Sequence, residues 1–333
     1  MQRPIKNILV TGGAGYVGSL LVPELLKNGY RVKVLDLYWF GEHVLDSVKE
    51  NPNLKEIKGD MRDVGLLERE LKAIDAVIHL ACISNDPSFE LDSSLGKSIN
   101  YDAFLPLVKI SKDLGVRRFI YASSSSVYGI KEEDEVTEAL RLEPLTDYSK
   151  YKALCEDVLL KETSPDFTTL VYRPATVCGY STRQRLDLTV NILTNHAVNK
   201  GVVTVFGGEQ KRPNIHIKDM VDAYLLALKI EKGLISGKIF NVGYENYKVK
   251  ELAQMVKCVV GEDTEIKYSP TDDLRSYRVS SGKIARELSF KPRHSVEEAI
   301  KDLVDAFRDG RLSNPLEDIR YYNIRTMKSM RIK

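Results

Sequence analysis

The chain has 333 residues, room for one large domain or two joined ones, with 43% hydrophobic and 29% charged residues, an ordinary globular composition. A formal net charge of +2 gives no reason to expect nucleic acid or a membrane surface as a partner. Cys82, Cys155, Cys178 and Cys258 form no Cys-x-x-Cys or His/Cys cluster, so no metal site is expected, and reduced thiols in the cytoplasm are the simple expectation.

The first residues run straight into a strand pattern, with no signal-peptide apolar region, and no apolar run is long enough to span a bilayer. Residues 6–11 read as a buried strand. Gly12-Gly13-Ala14-Gly15-Tyr16-Val17-Gly18 then turns into an amphipathic helix carrying Leu20, Leu21, Leu25 and Leu26. Pro23 lies inside that helix and should bend it or remove one of its hydrogen bonds. Further strands are expected at 31–35, 54–58, 76–80, 118–122 and 170–172, with helices over 100–114 and 149–162. Strands alternating with helices predict an α/β fold, a parallel sheet covered on both faces. After Pro174 the alternation weakens. Helices are expected at 186–200, 249–260 and 296–308 and from about 217 to 231, with strands at 202–206 and 238–243. The tail from Pro315 carries Tyr321-Tyr322 and several basic residues but no clear element.

Gly13-x-Gly15-x-x-Gly18, with Gly12 before it, fits a dinucleotide fingerprint. Backbone amides and a helix N-terminus there meet a pyrophosphate without side-chain obstruction. Asp36 ends the next strand, where a carboxylate binds ribose hydroxyls. Positions 37–42 hold no Arg or Lys for a 2′-phosphate, so NAD is favoured over NADP. Tyr148 and Lys152 stand four apart, on one face of a helix. A lysine beside a tyrosine favours the phenolate, which suits proton transfer at neutral pH.

Together with Gly59-Asp60-Met61-Arg62-Asp63, His79-Leu80-Ala81, Ala122 to Gly129 (Ala-Ser-Ser-Ser-Ser-Val-Tyr-Gly) and Tyr172-Arg173-Pro174, these segments make a set. The chain resembles the extended short-chain dehydrogenase/reductase family, in its NAD-dependent epimerase/dehydratase branch. The resemblance covers nearly the whole chain. It implies a Rossmann-type doubly wound parallel sheet over 1–175, with 215–245 returning to it. A smaller C-terminal α/β substrate lobe would comprise 176–214 and 246–333.

The resemblance also implies site residues. For catalysis these are Ser124, three residues before Val127, with Tyr148 and Lys152. For the cofactor they are Gly12, Gly15, Tyr16, Val17, Gly18, Asp36, Asp60, Met61, Leu80, Ala81, Cys82, Asn100, Ser123, Tyr148, Lys152 and Pro174. For substrate they are Ser84, Asn85, Ser124, Ser125, Arg212 and Arg275. Arg212 precedes His216 by four residues, as a nucleotide-phosphate arginine does in the family. Such arginines also serve as plain surface partners of Glu209, Asp272 and Asp273, and Arg183, Arg185 and Arg278 are further candidates. Asn85 and Asp86 suit either sugar hydroxyls or an Asx turn before Pro87. In the family's 4,6-dehydratases Asp-Glu follows the catalytic Ser or Thr; here Ser125-Ser126 stands there, poor at the acid and base work of losing water.

The implied chemistry is removal of a sugar hydroxyl proton by Tyr148, with hydride passing to NAD. The leading expectation is a nucleotide-diphosphate-sugar 4-epimerase. A nucleotide-sugar dehydrogenase or 4-ketoreductase uses the same residues. An NAD-sensing binding protein would usually lack the tyrosine or the lysine. A homodimer through the Tyr148 helix is implied by resemblance alone.

Overall fold

The computed structural model describes residues 4–271, 276 and 278–330. Its strands are β1 (Asn7–Thr11), β2 (Arg31–Asp36), β3 (Leu54–Lys58), β4 (Ala76–His79), β5 (Arg118–Ala122), β6 (Thr168–Pro174), β7 (Thr176–Cys178), β8 (Val202–Phe206), β9 (Lys211–His216), β10 (Lys238–Val242), β11 (Glu245–Lys248) and β12 (Glu265–Ser269). Its α-helices are α1 (Gly18–Lys27), α2 (Val64–Glu70), α3 (Asp86–Phe89), α4 (Ser93–Lys97), α5 (Phe104–Asp113), α6 (Asp147–Lys161), α7 (Thr189–Lys200), α8 (Ile217–Lys229), α9 (Val249–Val260), α10 (Gly282–Leu288), α11 (Val296–Arg308) and α12 (Asn323–Met330).

Seven strands form one sheet in the order β10-β6-β5-β4-β1-β2-β3, every neighbouring pair parallel. The order runs outward in both directions from β1, so crossovers lie on both faces, as in a doubly wound fold. This is why Ile8, Leu9 and Val10 are consecutive apolar residues: both sides of β1 are covered and all three are buried. Ile8 and Val10 belong to a core with Leu21 and Leu25 of α1 and Ala223, Tyr224 and Ala227 of α8. Leu9 faces the opposite core with Leu67 of α2, Phe104 and Leu107 of α5, and Cys155 and Leu159 of α6. A third core joins Val190, Leu193 and Ala197 of α7 to Leu252 and Val256 of α9 and Ile300 and Val304 of α11. Beside it, β9 pairs antiparallel with β11 and parallel with β7, and β8 pairs parallel with β12.

Several elements differ from the sequence pattern. β6 spans Thr168–Pro174 rather than 170–172, because its polar residues are buried with partners: Arg173 pairs with Glu156 of α6, and Thr169 bonds the Thr163 hydroxyl. The helix expected over 100–114 begins as a π turn at Ser98–Asp102 before α5. β7, β9, β11 and β12 are short or polar and show no clean alternation. α12 shows no clear sequence pattern, since five of its eight residues face solvent or its rim. Pro23 does not interrupt α1. Its missing N–H frees the Ser19 carbonyl, which accepts the Thr182 hydroxyl at 3.4 Å, so the loop after β7 docks on this helix. Among the described residues no helix is long and apolar enough to cross a membrane.

Candidate active site

A cavity of about 670 Å³ opens at the carboxyl ends of the central strands, where β1 and β4 part company in chain order. Its floor is the turn after β1. Gly12 has φ +74°, and a Cβ there would lie 2.5 Å from the Ala81 nitrogen. A Cβ at Gly18 would lie 2.5 Å from the Gly13 carbonyl oxygen. The turn therefore packs backbone on backbone and presents bare amides at the start of α1, a cradle suited to a pyrophosphate. At the end of β2, Asp36 accepts the N–H groups of Ala14 (3.0 Å) and Tyr38 (2.8 Å). Burial raises its pKa, with those bonds opposing. A carboxylate held between the glycine turn and β2 is placed for ribose hydroxyls, so these residues fit NAD.

Of the cofactor residues expected from sequence, all but Asn100 line this one cavity. Asn100 lies behind it. Its Oδ1 accepts the Ile83 N–H at 2.8 Å and its Nδ2 donates to the Ile83 carbonyl at 3.0 Å, clamping the loop after β4. The Tyr16 side chain is turned to structure: its hydroxyl donates to the Gly179 carbonyl at 2.6 Å and accepts from Asn191.

Ser124, Tyr148 and Lys152 meet on the wall of the same cavity. Thr146 caps α6 in a reciprocal box with Ser149, which sets Tyr148 in the first turn and Lys152 one turn on. Lys152 donates to the Ala122 carbonyl at 2.7 Å, and its Nζ lies 5.9 Å from the centre of the Tyr148 ring. Both side chains are buried. Burial raises the Tyr148 pKa well above its ordinary value, the charge of Asp86 adds to this, and Arg185 and the hydrogen bond from Ser124 oppose it. In the protein alone, desolvation outweighs the opposing charge of Arg185 and the hydrogen bond from Ser124. Behind the wall, Arg173 grips Glu156 through Nε (3.0 Å) and Nη2 (2.5 Å) and donates to the Tyr128 hydroxyl at 2.9 Å. Ser123 donates to the same carboxylate. This buried pair ties the serine loop to the helix that carries Tyr148 and Lys152.

The remaining predicted residues divide. Ser84, Asn85, Ser125 and Arg212 line the cavity. The Asn85 oxygen caps α3 by accepting the Ser88 N–H at 2.9 Å, the Asx-turn alternative. Arg275 lies outside the described residues. Sequence reasoning missed Trp39, Phe40, Asp187 and Asn323, which also line the site, and ranked Arg183 and Arg185 low. The one signal available was Arg183-Gln184-Arg185-Leu186-Asp187, two cations and an acid in five residues.

Residues 8–243 match the model of the NAD-dependent epimerase/dehydratase family. The UDP-glucose 4-epimerase of Lactobacillus helveticus is 30% identical over 311 residues, covering 86% of this chain and 92% of that one. Among solved structures, dTDP-glucose 4,6-dehydratase of Streptomyces venezuelae with NAD bound gives a TM-score of 0.84 at 28% identity, over 93% of this chain and 100% of that one. UDP-glucose 4-epimerase of Thermotoga maritima with UDP-glucose gives 0.81 at 29% identity, over 91% and 99%.

Proposed function

The chain belongs to the NAD-dependent epimerase/dehydratase family and is an NAD-dependent enzyme, and from that premise we propose that it inverts C4 of a nucleotide-diphosphate sugar, a UDP-hexose before others. The observation that carries this reading is a single cavity holding Ser124, Tyr148 and Lys152 beside the glycine cradle, with Ser125 and Ser126 where a dehydratase keeps its acid and base. Relatives of both kinds share the fold, and these positions favour epimerisation over dehydration. The lining acids are also committed elsewhere. Asp36 takes backbone amides, Asp60 takes Arg62, Asp86 takes the Thr146 hydroxyl and Asp187 takes Arg185.

In this reading Tyr148 removes the proton from the sugar O4 and returns it after inversion. Ser124 holds the same oxygen. Lys152 binds a ribose hydroxyl of the cofactor and lends positive charge to the phenolate. NAD supplies a hydride acceptor that can give the hydride back. The keto sugar turns within the cavity between the two transfers, so both faces of C4 are presented in turn. Arg212, at the end of the cavity formed with Gln210, Thr204 and Phe206, takes the diphosphate. The lobe of α7, α9 and α11 carries the nucleotide. We assign a homodimer to the face of α5 and α6, where Leu105 and Leu154 stand exposed. The free cysteines fit a reducing cytoplasm.

The test is incubation with NAD and a panel of nucleotide sugars, followed by chromatography with mass detection. A product of unchanged mass and new retention time is expected. A product lacking water would replace this reading with dehydration. One lacking a pair of hydrogens, with NADH accumulating, would replace it with dehydrogenation.

A further inference from the structure

We propose that helix α12 completes the substrate pocket, and that Asn323 is a positioning residue that sets Ser84, Asp187, Arg183 and Arg185 around the sugar; this rests on the nucleotide-sugar reading above. Asn323 opens α12 and is buried. It reaches three ways. Nδ2 donates to the Ser84 hydroxyl at 2.9 Å. Oδ1 accepts Arg183 Nη2 at 2.6 Å. The backbone N–H donates to Asp187 Oδ2 at 2.8 Å. The same Ser84 hydroxyl and the other Asp187 oxygen receive Arg185, through Nη1 at 3.0 Å and Nε at 2.6 Å. One residue from the far end of the chain therefore ties the loop after β4 to the loop after β7. The Asn323 amide, with a donor and an acceptor at one end, serves Ser84 and Arg183 together.

What this frame holds is chemically incomplete. Arg183 Nε and Arg185 Nη2 are buried without a hydrogen-bond partner among the described residues, yet both side chains line the cavity. A buried N–H left unpaired is costly, so these donors await acceptor oxygens that arrive with a ligand. Arg183 lies over the Phe40 ring at 3.9 Å, and burial, with the charge of Arg185 added, lowers its pKa to about 9. An incoming anionic or hydroxyl oxygen relieves that strain. One turn beyond Asn323, Met327 packs in a cluster with Ile83, Phe89 and Tyr148, and Trp39 rests against it. The segment that orders the arginines thus also braces the proton-transfer residue. Trp39 is the chain's one tryptophan, so its emission reports on this wall.

The experiment uses full-length, NAD-loaded protein titrated with UDP-glucose, reading Trp39 emission, turnover and the thermal midpoint. Asn323→Ala is expected to lower kcat/KM by about tenfold or more while NAD affinity stays within about threefold of wild type. Asn323→Asp, which keeps an acceptor for Arg183 but cannot donate to Ser84, is expected to lose less and guards against a folding defect. Adding Ser84→Ala to Asn323→Ala is expected to cost less than the sum of the two single losses, since the two residues share one contact although Ser84 also receives Arg185. The proposal is overturned by UDP-glucose affinity and kcat/KM within about twofold of wild type, by additive effects in the double variant, or by a loss that disappears on assay well below the thermal midpoint. Wild-type protein that binds neither UDP-glucose nor any other sugar of the panel removes the nucleotide-sugar reading and this proposal together. Normal wild-type binding unaffected by Asn323→Ala removes this proposal alone.

Discussion

Tyr148 sits in an environment that resists its ionisation. A base must lose its proton before it acts, and burial raises its pKa, so kcat/KM should climb with pH along the acid limb. Lys152, with its ammonium 5.9 Å from the ring, works against that burial. Lys152→Met should therefore move the acid limb upward by about one to two pH units, the size of a unit charge at that distance in a partly shielded site. Tyr148→Phe removes the proton acceptor and should lower kcat by roughly 10²- to 10⁴-fold, with UDP-sugar affinity kept. A pH–rate profile on the three proteins checks both statements. An unchanged Tyr148→Phe rate would remove the tyrosine from the chemistry. The spacing of Tyr148 and Lys152 was legible because a helix puts residues four apart on one face. The direction of the tyrosine's shift was not, since desolvation depends on the surrounding walls, and the charge of Asp86 adds to it, all of which the chain brings in from other elements.

At the level of elements, two junctions hold the site. The first is the turn from β1 into α1. Gly12→Ala would meet the Ala81 backbone at 2.5 Å in a left-handed conformation, so a stability loss of about 2 kcal/mol or more is expected, with NAD binding weakened at least about tenfold. Urea unfolding and a calorimetric NAD titration measure the two effects separately. The second junction is between α6 and the strands beneath it. Glu156 and Arg173 are both buried, and Ser123 and Tyr128 hang on the pair. Arg173→Met leaves the Glu156 charge uncompensated and should cost about 3–5 kcal/mol, whereas replacing both partners with apolar residues should cost much less. Equal losses in the single and double variants would refute this account. The Tyr172-Arg173-Pro174 segment was visible in the sequence as a motif, but its partner on α6 was not. Pro23 is similar: the sequence marks it as an irregularity, and only the fold supplies Thr182 for the carbonyl it frees.

For the molecule as a whole, His79 links folding to pH. It is fully buried at the end of β4 with its Nδ1 2.7 Å from the Thr11 hydroxyl, and burial, with Lys152 nearby, lowers its pKa to about 3. Between that value and the ordinary one near 6.5, the unfolded chain binds a proton that the folded chain refuses. Stability from this group is therefore complete above about pH 6.5 and is lost as pH falls. The loss between pH 6.5 and pH 5 is about 2 kcal/mol. His79→Leu should show a correspondingly smaller fall in unfolding free energy over that interval. Parallel curves for the two proteins would exclude the histidine as the source.

The sequence by itself determined the parallel sheet and the glycine cradle with Asp36, and it singled out the Ser124/Tyr148/Lys152 set that the cavity brings together. The sheet, the cradle and the Tyr148/Lys152 pair rest on short-range periodicity or on a turn within a few residues, where local sterics dominate, whereas Ser124 was singled out by the family resemblance. The sequence also showed Ser125-Ser126 where the resembled family's dehydratases carry Asp-Glu, a difference of residue type legible only beside the family pattern. Tertiary structure decided the rest. It put Asn100 behind the cavity as a clamp on Ile83, and turned Asn85 into a helix cap. It brought Arg183, Arg185 and Asp187 from the loop after β7 to Ser84 after β4. It delivered Asn323 from a tail that showed no pattern. Those contacts join positions up to 239 residues apart. Their cause is burial: once polar side chains are driven into one cavity wall they must find one another, and no local spacing records which partners they will meet.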